Sequence, residues 1–169
     1  ATSILHRPFS LGRRPRPTPG DTPQRGRVQS APHTIGGVDF TIRGSMDALL
    51  RFDDGSVGVV DFKSSTASPQ LGNAYRPQLA AYQWALSRPA SGDPEEVSVA
   101  GLLVFAPESM VDTEQGRAYL VSTTWIPVEI EDGWFENFLG RIAPLIRKPE
   151  EAPRKTDCEW CSLRARLSS

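Results

Sequence analysis

Val57-Gly58-Val59-Val60-Asp61-Phe62-Lys63-Ser64 is the stretch on which the reading of this chain turns. Its leading residues are apolar or glycine, as a buried strand requires, and alternation along a strand turns Asp61 and Lys63 to one face and Phe62 to the opposite, packed side. A carboxylate and an ammonium then stand together at the end of an apolar run. Upstream, Gly44-Ser45-Met46-Asp47 opens a second apolar run, Met46 to Phe52, and Asp53-Asp54-Gly55 separates the two. An Asp-Gly turn between two β-like runs is a strong hairpin signal. Pairing the strands brings Asp47 beside Asp61. Two carboxylates and a lysine at one place are the minimum equipment for a divalent metal ion and a charge that stabilises a reacting anion, which implies metal-dependent phosphodiester hydrolysis.

Each part alone carries little, because an Asp-x-Lys is most often a solvated pair on an edge strand. The third element is Gln78-Leu79-Ala80-Ala81-Tyr82, inside the helical stretch Ala74 to Leu86. Gln78 and Tyr82 are four apart and share a helix face, while Leu79, Ala80, Trp84 and Leu86 supply the packed sides. An amide and a phenol are poor partners for Mg²⁺ but good hydrogen-bonding groups for phosphate or base. Both are therefore expected to project toward Asp61 and Lys63 and to bind substrate. The competing reading makes Tyr82 a core aromatic beside Trp84.

The order Gly-x-x-Asp, turn, apolar strand into Asp-x-Lys, then a helix with Gln-x-x-x-Tyr resembles the PD-(D/E)XK nuclease superfamily, and within it the RecB-like branch that includes CRISPR-associated and phage exonucleases. The resemblance spans residues 36 to 161. It implies an α/β fold of mixed α+β character: a mixed central sheet flanked by helices, a restriction-endonuclease-like core, with the metal site at a bent hairpin. By the same resemblance Asp47 and Asp61 are the metal ligands with the backbone carbonyl of Phe62, and Lys63 is the motif lysine. Asp47, Asp61 and Lys63 form the catalytic set. The implied cofactor is Mg²⁺ or Mn²⁺. The implied substrate is DNA, as single strands or duplex ends, and the implied activity is exonucleolytic, in repair, recombination or foreign-DNA processing, with a helicase or recombination partner. An ammonium beside a metal and two carboxylates is expected to stay protonated, so Lys63 positions and stabilises charge rather than acting as a general base. The alternative function is a non-catalytic nucleic-acid-binding or scaffold domain that keeps the fold; a metal-dependent hydrolase on another fold comes third.

Two departures from the family stand out. Many RecB-like enzymes take a further ligand from an upstream histidine on an early helix, and this chain offers His6, at about the right distance but followed by Arg7-Pro8, and His33, which reads as a surface residue near the Gly36-Gly37 turn. The second is at Cys158-Glu159-Trp160-Cys161. Iron-sulfur members close with additional cysteines, and two thiolates complete neither a four-cysteine cluster nor a zinc site. No iron-sulfur cluster is expected. The pair reads as a relic of one, ahead of a free thiol pair or a cluster completed from outside, and a disulfide is less expected in a reducing cytosol.

A chain of 169 residues is long enough for one domain with a real core, and its net charge of -1 excludes a uniformly basic nucleic-acid binder. The charge is uneven, though. Residues 1 to 30 hold Arg7, Arg13, Arg14, Arg16, Arg25 and Arg27 against the single acid Asp21, in a Pro- and Gly-rich context that reads as an extended arm. Arg13 and Arg14 are candidate phosphate contacts, against the plainer reading of a solvated linker. The organisation expected is an arm with a lead-in strand over 1–34, a nuclease core over 35–150, and a C-terminal tail over 151–169. The coarse pattern gives strands over 26–31, 38–43 (a hairpin partner), 46–52, 57–63, 97–105 and 117–125, a turn region over 107–116, and helices over 74–86 and 134–146, the last with apolar residues at helical spacing. Nothing resembles a signal peptide or membrane span; a cytoplasmic protein is expected.

Overall fold

The computed structural model describes residues 16–18, 24–149, 158–160, 163 and 166. Among these residues the chain runs through β1 (Gln24–Gln29), β2 (His33–Ile35), β3 (Val38–Phe40), β4 (Arg43–Arg51), β5 (Val57–Ser64), α1 (Pro69–Ser87), β6 (Val97–Thr113), β7 (Gly116–Pro127) and α2 (Trp134–Arg147). Five strands make the central sheet in the order β1-β4-β5-β6-β7, and β2 and β3 form a separate hairpin. β5 pairs antiparallel with β4 and parallel with β6, so the sheet is mixed. The parallel step follows from α1, which carries the chain back across the sheet between β5 and β6.

The apolar run that opens β5 makes it the central strand, with Val57, Val59 and Val60 buried. The β4–β5 turn closes through Phe52 N–H to Ser56 O and Gly55 N–H to Phe52 O, with Gly55 at φ 83°, a conformation that glycine adopts freely. The Asp54 carboxylate accepts from the Ser56 amide and hydroxyl at 2.9 and 2.7 Å. Those two hydrogen bonds hold its pKa below the ordinary value.

α1 packs Leu79, Tyr82, Ala85 and Leu86 onto Val57, Val59, Leu102, Val104, Val28 and Met46 of the sheet. Its other side, Ala80 and Trp84, meets Phe135, Leu139 and Ala143 of α2 and Phe40 of the small hairpin. The layers therefore stack as sheet, α1, then α2 with β2–β3. No helix among the described residues is long and apolar enough to cross a membrane.

Four boundaries differ from the sequence reading, each for a physical reason. The stretch 38–43 is not one strand: Val38–Phe40 folds back on His33–Ile35 across Gly36 and Gly37, both at positive φ, as a tight two-residue hairpin demands. The lead-in strand belongs to the central sheet as its β1 edge, paired with β4. α1 begins at Pro69, earlier than expected, with proline in the first turn, where its missing N–H costs nothing. Finally, the turn region expected over 107–116 is mostly strand. Pro107 does not break β6, because the β6–β7 ladder carries an irregularity between Pro107 and Ser109, and a bulge tolerates the absent donor.

Candidate active site

The site lies at the C-terminal end of β5, and its first requirement is that Asp47 and Asp61 meet. Ala48 pairs with Val60 and Leu49 with Val59, so one step further along the ladder sets Asp47 opposite Asp61. On its other edge β4 pairs with β1, and there Gln24 faces Leu49 while Gly26 faces Met46. Two steps on β1 match three on β4. The extra residue is a β-bulge beside Asp47, a device that re-aims a side chain at the cost of one regular pair. With it, Met46 faces the core under α1 and Asp47 still turns its carboxylate to β5, where Oδ2 accepts from the Phe62 amide at 2.9 Å.

Asp61 is 3% exposed. Its Oδ1 accepts from Gln78 Nε2 at 2.9 Å, and its Oδ2 stands 2.5 Å from Lys63 Nζ. That second contact is a buried charge pair: Oδ2 meets the Lys63 ammonium and receives no other hydrogen bond. Lys63 in turn lies over the ring of Tyr75, 4.1 Å from its centroid, a cation–π contact. Burial works against the lysine's charge, but the contact and charge of Asp61, with Tyr75 and Asp47 behind them, outweigh it and raise the pKa above the ordinary lysine value. The ammonium is protonated at neutral pH.

Gln78 and Tyr82 do converge on Asp61, but they face inward. The Tyr82 hydroxyl accepts from Gln78 Nε2 at 3.0 Å and donates to the Ser45 carbonyl at 2.8 Å, and the residue is 8% exposed. The direct substrate contact expected of this hydroxyl gives way to a core tyrosine that ties α1 to β4. The ring lies so close to β4 that a Cβ on Gly44 would stand 2.6 Å from it, which explains glycine there. A second correction concerns Phe62. Its packed place is expected on the far side of the sheet, yet it is 43% exposed, touching Phe105 edge to face, because α1 and α2 lie on the Asp61 side and no described layer covers the other face at that end.

Tyr75 was not singled out from the sequence, although Tyr75, Gln78 and Tyr82 fall at i, i+3 and i+7 on one helix face. The Ser45 carbonyl and the bulge had no local sequence signal. His6, Arg13 and Arg14 lie outside the described residues. His33 is exposed, its ring edge-on to Trp84. Cys158 is disulfide-bonded, where a relic of a cluster site is expected from the sequence and a disulfide is less so. The chain holds two cysteines, three positions apart, and among the described residues none is free.

The donor set fits a hard divalent cation. Among the described residues no three His, Cys, Asp or Glu side chains converge, which leaves Asp47, Asp61 and main-chain oxygen, and Mg²⁺ is commonly held by one or two carboxylates while keeping several waters. Asp61 Oδ2, held by the Lys63 ammonium and by no other donor, keeps lone-pair capacity that such an ion could share.

The family model of the PD-(D/E)XK nuclease superfamily matches residues 13–166. No curated protein matches the chain. Among solved structures, that of SSO0001 is similar at 21% identity and a TM-score of 0.47, covering 79% of this chain and 55% of the other; the chain thus spans about half of that protein's length.

Proposed function

Because the chain belongs to the PD-(D/E)XK nuclease superfamily, we propose that it is a divalent-metal-dependent deoxyribonuclease of the RecB-like kind, acting from the ends of linear DNA, with Asp47, Asp61 and Lys63 as its working residues. The observation that carries the reading is the meeting of these three groups around the Phe62 amide, with Asp47 bonded to that amide and Lys63 against Asp61. Asp47, Asp61 and the Phe62 carbonyl would hold Mg²⁺ or Mn²⁺. When bound, such an ion acidifies a coordinated water and offsets charge gathering on phosphate oxygens.

The chain's own residues do the rest. Lys63 is a fixed cation whose charge is sustained by Asp61 and Tyr75, which suits it to orient a non-bridging phosphate oxygen and to stabilise the charge that grows there, the larger part of what a protein supplies in phosphoryl chemistry. Gln78 fixes the rotamer of Asp61, and Tyr82 fixes Gln78 while anchoring the strand just before the bulge. Both are positioning residues in this account. Phosphate contacts by Arg13 and Arg14 of the N-terminal arm and ligation by His6 remain part of the proposal on sequence grounds, as do the cytoplasmic setting and a role in repair, recombination or foreign-DNA processing.

The end-directed activity is tested by incubating the protein with labelled linear DNA and with a closed circle of the same sequence, in Mg²⁺ and separately in Mn²⁺. Progressive loss of linear DNA with the circle spared supports the reading. Equal cutting of both would make the enzyme an endonuclease, and binding without cutting in either metal would favour the non-catalytic alternative.

A further inference from the structure

Beyond Ser64 and Phe105, the last pair between β5 and β6, the strands β6 and β7 continue, among the described residues, as a two-stranded ribbon closed between Thr113 and Gly116. Among the same residues β7 is an edge strand of the central sheet. Edges are normally blunted by charge, proline or a bulge, since their unpaired amides and carbonyls template pairing with another chain. β7 has none of these over Ala118 to Ile126, nine consecutive residues without charge, glycine or proline, and the ladder irregularity falls on β6. Leu120, Val121 and Trp125 are exposed, and Tyr119 is 67% exposed, with exposed Met110 beside it on β6.

We propose that this edge is the interface for a second copy of the chain, through antiparallel pairing of β7 with β7 that joins the two sheets into one. The segment is self-complementary. A two-fold axis at Ser122 sets Tyr119 opposite Trp125 of the second copy, Val121 opposite Thr123 and Leu120 opposite Thr124. Across that axis no charge meets a like charge. The ribbon's charges argue against nucleic acid as the occupant: Glu108, Asp112 and Glu114 stand against Arg117, which is itself bound to Asp112 at 3.2 Å, so phosphates meet a net acidic tip. This inference is independent of the nuclease reading.

Sedimentation of the whole chain up to about 100 μM should show a concentration-dependent dimer. The double variant V121K/T123K crowds lysines across the axis and should weaken the dimer on the order of tenfold or more, with an unchanged thermal midpoint for the monomer, since both positions are exposed. Ser122→Cys should form a covalent dimer on mild oxidation, the chain's Cys158 being already in a disulfide. A monomer at every concentration, or a dimer indifferent to the two lysines, overturns the proposal, and absence of the Ser122→Cys cross-link overturns the axis at Ser122.

Discussion

Replacing Tyr82 by Phe removes one oxygen and little volume, and the structure states what that oxygen does. It donates to Ser45 O at 2.8 Å and accepts from Gln78 Nε2 at 3.0 Å, both part-buried. A typical hydrogen bond contributes about 1 kcal/mol net, and stranding a buried partner costs about 1–3 kcal/mol. Gln78 keeps its bond to Asp61, so the Ser45 carbonyl is the group left without its partner. The expected loss of stability is about 1–3 kcal/mol by that reckoning. In a chain of this length that corresponds to a fall in Tm of about 2–12 °C. Urea unfolding followed by tryptophan fluorescence measures it directly, with an unchanged m-value. Metal affinity should fall modestly alongside, because Gln78 loses its anchor and holds Asp61 less firmly. An unfolding midpoint equal to the parent's, together with a large loss of DNA binding, would refute the reasoning and return the hydroxyl to the substrate.

Other consequences follow from the same contacts. Lys63→Ala should lower single-turnover cleavage by a factor on the order of 10² or more while leaving Mn²⁺ binding nearly intact; cleavage at the parental rate would remove Lys63 from its role. Gly44→Ala drives a methyl into the Tyr82 ring and should cost about 1–3 kcal/mol in urea unfolding, as overpacking does. The Asp54 pKa is lowered in the folded state by Ser56, so its contribution is present above the ordinary carboxylate value and is lost as pH falls through the folded one. Asp54→Ala should therefore be less stable than the parent at neutral pH, and the difference should shrink through that acid range.

Much of the site was legible because its elements are local. Alternation alone put Asp61 and Lys63 on one face of β5, the Asp-Gly turn brought β4 back beside it, and the four-residue spacing put Gln78 and Tyr82 on one side of α1. What escaped depends on long-range register and layering. The bulge beside Asp47 exists only in the pairing of β4 with a strand some twenty residues upstream. Phe62 is exposed because both helices fall on one side of the sheet, and a strand's period of two says that its faces differ without saying which is covered. Tyr82 turns inward because the Ser45 carbonyl waits under the helix, and no spacing rule reports a main-chain acceptor from another element. Pro107 misled for a similar reason: it ends strands in general but is admitted at a bulge, and the bulge is a property of the partner strand's register.

Whether Asp47, Asp61 and Lys63 form one metal-dependent hydrolytic centre is decided by single-turnover cleavage of end-labelled linear DNA by the parent and by Asp61→Asn. That substitution keeps the shape of the buried side chain while removing the charge that a cation and Lys63 both need. Expected are cleavage by the parent in Mg²⁺ or Mn²⁺, none in excess chelator, and a loss on the order of 10³ or more in a folded Asp61→Asn protein. Cleavage that persists in chelator, or at the parental rate in Asp61→Asn, would contradict it.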